Sequence, residues 1–196
     1  MALDYCIESK INHVYTIYTR QDKPGSGYTE LVFTKIVSVY KSMEDSSGDI
    51  VALSEKMIEN YSDLIENYNT NNIYKFLGSY YYSTGQYTKS LGMYDQFLKK
   101  ITNNSYYSFS NELLKSLLSC IAIRNLNLCK NKLAEYCDSY SFACSNIYKF
   151  VISIITSIDR SDIDQFKNSI NHYKKYITFI DDDFIALDEI SKLYFI

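Results

Sequence analysis

Apolar residues recur three and four positions apart through most of the chain, the period of a helix with one buried face. The pattern predicts helices over about 3–18, 29–43, 49–67, 72–83, 87–101, 109–124, 127–138, 142–158, 162–176 and 182–194. Polar and turn-forming residues fall between them. RQDKPGSG (20–27) holds the one proline and two glycines. EDSSGD (44–49) ends on Asp49, a residue suited to cap the next helix. NTNN (69–72) and TNNS (102–105) are polar breaks, and DRSD (159–162) offers Ser161 or Asp162 as the N-cap of IDQFKNSINHYKKY. Short links between helices of similar length imply antiparallel neighbours, so hairpins stacked on hairpins.

The stretch YKFLGSYYYSTGQYTKSLGMYDQFLKK (74–100) tests this reading, because tyrosine favours strands. Its spacings are those of a tetratricopeptide unit. Tyr74, Leu77-Gly78 and Tyr81 fit the first helix at W-x2-L-G-x2-Y spacing, with Tyr for Trp, and Ser90 and Tyr94 fit A-x3-F on the second. Each residue type has a physical job. Gly78 has no side chain and lets the second helix approach, Gly85 supplies the turn, Ser90 is the small contact, and Tyr81 and Tyr94 fill the groove between helices. The other hairpins match weakly, as degenerate repeats. One hairpin cannot bury its apolar face alone, so neighbours must stack. The expected fold is all-α: a tetratricopeptide-like solenoid of hairpins over about 1–138 with a C-terminal helical cap over about 139–196, in one domain. The alternative is an ordinary helical bundle carrying one accidental match.

Composition narrows the function classes. One proline, six glycines and no tryptophan in 196 residues argue against a hairpin-rich sheet. The net charge of -3 does not favour nucleic acid as a partner. Charge is unevenly placed. Residues 44–66 carry Glu44, Asp45, Asp49, Glu55, Glu59, Asp63 and Glu66 against Lys56. Residues 89–132 carry Lys89, Lys99, Lys100, Lys115, Arg124, Lys130 and Lys132 against Asp95 and Glu112. The end carries Asp181, Asp182, Asp183, Asp188 and Glu189 against Lys192. One reading is solvated helix faces of varying sign; the other is a basic middle for an acidic partner and an acidic end for a basic one.

Catalytic and metal chemistry find no support. No phosphate loop, GxSxG elbow or HExxH is present. The five cysteines (Cys6, Cys120, Cys129, Cys137, Cys144) form no CxxC pair, and His13 and His172 are distant from them, which argues for reduced thiols and against zinc. Three adjacent carboxylates at 181–183 point about 100° apart on a helix, so an N-terminal cap suits them better than a divalent metal. His172 reads as a surface histidine. No cofactor is expected. MALDYCIESK lacks the form of a secretory signal, and FVISIITSI (150–158) is short of the about 20 residues that span a bilayer, so a soluble, cytoplasmic, non-enzymatic protein is expected.

The segments GDIVALSEKMIENYSDLIENYNTNN and YKFLGSYYYSTGQYTKSLGMYDQFLKKI, followed by the helices to Tyr176, resemble the soluble NSF attachment proteins in order and length. Gly78, Tyr80, Gln86, Tyr87, Lys89, Tyr94 and Gln96 are similar to the family's glycine- and tyrosine-rich hairpin. KSLLSC (115–120), Leu126-Asn127, and Asp164, Phe166, Ile170 and Tyr173 resemble the helices after it. The resemblance runs from about 48 to 176.

It implies an adaptor, not an enzyme: a twisted sheet of hairpins that holds the SNARE helical bundle on a basic concave face. An acidic C-terminal end would recruit the NSF-type AAA ATPase for SNARE disassembly in vesicle trafficking and membrane fusion. On this resemblance Lys75, Lys89 and Lys115 face the SNARE bundle, and Asp159, Asp188 and Glu189 face the ATPase. Membrane association would be peripheral at most, through SNAREs. Departures are expected to matter. Family lysines fall on Asn72, Phe76 and Ser110, and cap acids fall on Arg124, Thr156 and Arg160. The family's first hairpins, which touch membrane, and its acidic, leucine-bearing tail have no counterpart in this reading. A second function class is a tetratricopeptide-like scaffold subunit of a stable assembly, of the proteasome-lid or ribosome-bound kind.

Overall fold

The computed structural model describes residues 51, 52, 54, 55, 58, 71–99, 109–137 and 140–195. The predicted helices at 3–18 and 29–43, and the Asp49 cap, lie outside these residues. The chain divides into two compact units, 1–73 and 74–196. In the first, residues 51, 52, 54, 55 and 58 are helical, with Val51 and Ser54 buried.

The second unit is built from α1 (Asn71–Ser83, which begins just before it), α2 (Tyr87–Lys99), α3 (Ser110–Ala122), α4 (Leu126–Cys137), the single turn α5 (Tyr140–Ala143), α6 (Asn146–Asp159), α7 (Ile163–Tyr173) and α8 (Asp181–Phe195). The described residues are helix and turn throughout, an all-α architecture of stacked helical hairpins. The boundaries sit within a few residues of the sequence pattern, with one correction. The helix expected over 142–158 breaks at Cys144 and Ser145. Ser145 takes an extended backbone, and its hydroxyl accepts from the Tyr148 N–H at 3.1 Å, capping α6 afresh.

Helix α1 buries Ile73, Tyr74, Leu77, Gly78, Tyr81 and Tyr82, and α2 buries Tyr87, Ser90, Leu91, Tyr94, Phe97 and Leu98. Both are single apolar stripes at helical spacing, so each helix has one inward face. Tyr81 packs against the Tyr80 edge at 5.8 Å between centroids, and Tyr82 against Tyr87 at 5.7 Å. The tyrosines are therefore packing residues of a helical hairpin, not of a strand. Helix α3 differs: every residue from Glu112 to Ala122 is buried. It packs against α2, α4, α6 and α8 and forms the centre of the unit.

Three hairpins end their first helix in the same way. Gly85 stands at φ +71°. Its N–H donates to Tyr82 O at 3.1 Å, and the Gln86 N–H donates to Tyr81 O at 2.8 Å. Those two bonds define a left-handed helix stop. The pattern recurs at Arg124 (φ 60°), with Arg124 N–H to Ile121 O and Asn125 N–H to Cys120 O. It recurs again at Ser161 (φ 53°), with Ser161 N–H to Ile158 O and Asp162 N–H to Ser157 O. Asp162 then caps α7, its Oδ1 accepting from the Gln165 N–H at 2.8 Å. Only the first of these turns carries the glycine that advertises it.

Helix α8 lies outside this repeat. It follows the α6–α7 hairpin yet returns to pack on α3. Its stripe is Asp183, Ala186, Leu187 and Ile190. At its end Tyr194 Oη donates to Ile121 O at 3.1 Å, Arg124 Nη2 donates to Leu193 O at 3.2 Å, and Phe195 packs on Phe166 at 5.2 Å.

Candidate functional site

Helices α1 and α3 are joined by two polar rungs spaced one helical turn apart. Lys75 Nζ lies 2.6 Å from Glu112 Oε1, and Lys115 Nζ donates to Ser79 Oγ at 3.3 Å. The upper rung reaches solvent at the lysine side only: the Lys75 side chain is 47% exposed and that of Glu112 10%. On the adjoining helix, the Lys89 ammonium stands 4.9 Å from the centre of the Tyr81 ring, a cation–π contact at an exposed position.

The three lysines expected on one open basic face are thus unequal. Lys75 and Lys89 are exposed. Lys115 is 9% exposed, its Nζ turned to Ser79 and lying 5.4 Å from the centre of the Tyr82 ring. The physical reason is the burial of α3, which covers every residue from Glu112 to Ala122, Lys115 among them.

Two of the seven basic residues counted over 89–132 sit in ion pairs. Lys132 pairs with Asp95, and Lys130 Nζ lies 2.9 Å from Asp159 Oδ2. Asp159 lies outside the stretch counted, so a count along that stretch overstates the bare positive surface.

The acidic positions are also distinct from one another. Asp159, at the end of α6, is held by Lys130. Asp188 pairs with Lys192 one turn along α8 at 2.6 Å, both side chains well exposed. Glu189 is half-buried beside the first hairpin's turn; burial, and then the Glu189 carboxylate, raise the Tyr87 hydroxyl's pKa. The repeat-packing residues all lie where their types suggest. Tyr74, Leu77, Tyr81 and Tyr94 are buried, Ser90 is fully buried, and Gly85 makes the turn.

The three carboxylates at 181–183 open α8, as its first turn. Asp183 turns inward, 2% exposed, and its Oδ2 accepts from the Ile180 N–H at 2.9 Å. The sequence reading treated the three alike. The signal that separates them is spacing: Asp183 stands three, four and seven residues before Ala186, Leu187 and Ile190, in the core stripe.

His172 is exposed, its ring edge-on to Tyr173 at 4.9 Å. Among the described residues no group of His, Cys, Asp or Glu is placed to hold a metal ion. Among the same residues no helix is long and apolar enough to cross a membrane. Tyr176, Ile180, Phe184 and Ile185 form an exposed apolar stretch around the start of α8.

A family model described as "Soluble NSF attachment protein, SNAP" matches residues 34–182. No curated protein and no solved structure matches the chain.

Proposed function

Because the chain belongs to the soluble NSF attachment protein family, we propose that it is an adaptor that binds SNARE helical bundles and recruits an NSF-type AAA ATPase to disassemble them in vesicle trafficking and membrane fusion. The observation that carries this reading is the family match across α1–α7 and into α8. The stack of hairpins with a fixed turn geometry supports it, because such stacks offer an extended rigid face to a long partner.

The SNARE-facing contacts are assigned to Lys75 and Lys89. Both are exposed on the α1–α2 hairpin, and both are held in place, one by Glu112 and one over Tyr81. Lys115 is assigned an internal role. The ATPase-facing end is assigned to Asp159 of α6 and Asp188 of α8, both exposed, with Glu189 next to Asp188 in sequence. The protein would act in the cytoplasm and reach membranes through its SNARE partners, with no cofactor and no catalytic chemistry of its own.

The test is binding of an assembled SNARE bundle to the full chain at rising salt. Contacts between exposed charges weaken with ionic strength. The expected result is salt-sensitive binding that drops in Lys75→Glu and Lys89→Glu, and ATPase recruitment that drops in Asp159→Lys and Asp188→Lys. Absence of both SNARE and ATPase binding at low salt, with co-purification in one fixed large assembly, would overturn the proposal.

A further inference from the structure

Asp183 is a carboxylate in a core position. Its Oδ2 caps its own helix, but Oδ1 is buried and has no hydrogen-bond partner, and the same holds for Tyr82 Oη of α1. The two side chains are close enough to act on each other's ionisation without closing a bond of ordinary geometry. Four titratable groups bear on this carboxylate: Tyr82 from α1, Tyr94 from α2, Lys115 from α3 and Asp182 from α8 itself. Lys115 is the cation among them. Its amine donates to Ser79, which is half-buried, and lies 5.4 Å from the centre of the Tyr82 ring.

A buried charge is tolerated only when it is paired or neutralised. Helix α8 is also the element outside the hairpin repeat, and its outer face (Phe184, Ile185, Leu193) is exposed. We propose that Asp183, Tyr82 and Lys115 form an internal latch, which holds the C-terminal helix α8 on the hairpins only while the Asp183 charge is neutralised by Lys115 or by a proton.

The direction of the pH effect follows from the site. Burial pushes the Asp183 carboxyl above its ordinary value of 3.8; the Ile180 N–H, then Lys115 and Tyr82, oppose that rise, and Asp182 adds to it. A raised carboxyl contributes docking strength that is complete below the ordinary aspartate value and is lost as pH climbs through the raised one. Removing Lys115 raises the carboxyl further and extends that loss. Lowering the pH then restores docking. The latch stands whether or not the adaptor reading does.

The experiment is hydrogen exchange of the full chain, read by mass spectrometry on peptides from α8 and, as an internal reference, α6, and corrected for intrinsic exchange. Lys115→Met is expected to cut α8 protection about tenfold at neutral pH, the equivalent of one pKa unit of charge interaction, with α6 unchanged. Mild acid restores it, and so does Asp183→Asn in the Lys115→Met background, by removing the charge. Unchanged α8 protection in Lys115→Met would overturn the proposal. So would equal loss in α6 and α8, or a loss that neither acid nor Asp183→Asn repairs.

Discussion

Ser90 Oγ donates a buried hydrogen bond of 2.9 Å to the Gly78 carbonyl, crossing the first hairpin where its two helices come closest. The approach depends on Gly78. A Cβ built there would meet the Tyr94 ring at 2.9–3.1 Å, and that ring is 1% exposed. In the next hairpin Cys129 stands where Ser90 does, twelve residues beyond its acceptor, and its thiol reaches Leu117 O at 3.7 Å. The two hairpins share a contact that their sequences disguise.

Gly78→Ala is therefore expected to destabilise the protein despite alanine's better helix propensity. The propensity gain is about 1 kcal/mol. Overpacking a ring that has nowhere to move costs roughly 1–3 kcal/mol. The net expectation is a loss of about 1 kcal/mol, read as a lower urea midpoint at unchanged slope. Tyr94→Leu in the same chain should recover part of the clash term, and additive losses would show that the ring is not what resists the methyl group.

The three helix stops make an opposed pair of expectations. At Gly85 the backbone is left-handed, so Gly85→Ala should cost about 1–2 kcal/mol. At Ser161 the same conformation is held by a residue that dislikes it, and the residue is exposed, so Ser161→Gly should stabilise by up to about 1 kcal/mol. Equilibrium unfolding of the two variants beside the parent checks both signs. Arg124 is a poorer site for this comparison, since its guanidinium also binds the end of α8.

Periodicity made the helices legible, and the first hairpin could be read almost residue by residue, because Gly78, Gly85, Ser90 and the tyrosines sit at their expected places with their expected jobs. The second and third hairpins were obscured for a definite reason. Arg124 and Ser161 replace glycine at the turn, and Cys129 replaces the small hydroxyl, so the same backbone is built from residues that match no motif. The burial of Lys115 and Asp183 was not legible for a different reason. A charged residue read along the chain is presumed to face water, and only the packing of α8 on α3 shows that these two are inside. The split of the 142–158 helix hung on Ser145, a cap hidden within an otherwise continuous apolar pattern.

Ser145→Ala should accordingly weaken α6 at its start. The serine hydroxyl satisfies an N–H that has no partner within the helix, and removing such a cap costs about 1 kcal/mol. The loss should appear as faster amide exchange confined to the first turn of α6. Uniform loosening along α6 and α7 would mean the serine is needed for packing and not for capping.

The thiols are expected to divide by burial. Cys144 is exposed and Cys137 half-buried, whereas Cys120 and Cys129 are fully buried. Burial pushes the Cys120 thiol up to about 12 and raises Cys129 as well, so neither carries appreciable thiolate near neutral pH. Thiolate is the reacting form, and a thiol held in apolar surroundings is both inaccessible and protonated. In the native protein a charged disulfide reagent should therefore modify Cys144 first and Cys137 more slowly, and should reach Cys120 and Cys129 only on unfolding. Peptide mapping by mass keeps the Cys6 signal separate, since that residue lies outside the described part of the chain. Raising the pH toward 9 should still leave Cys120 and Cys129 unmodified, because burial keeps both thiols protonated and covered. Early labelling of Cys129 in the folded protein would contradict its assignment as the second hairpin's internal donor to Leu117.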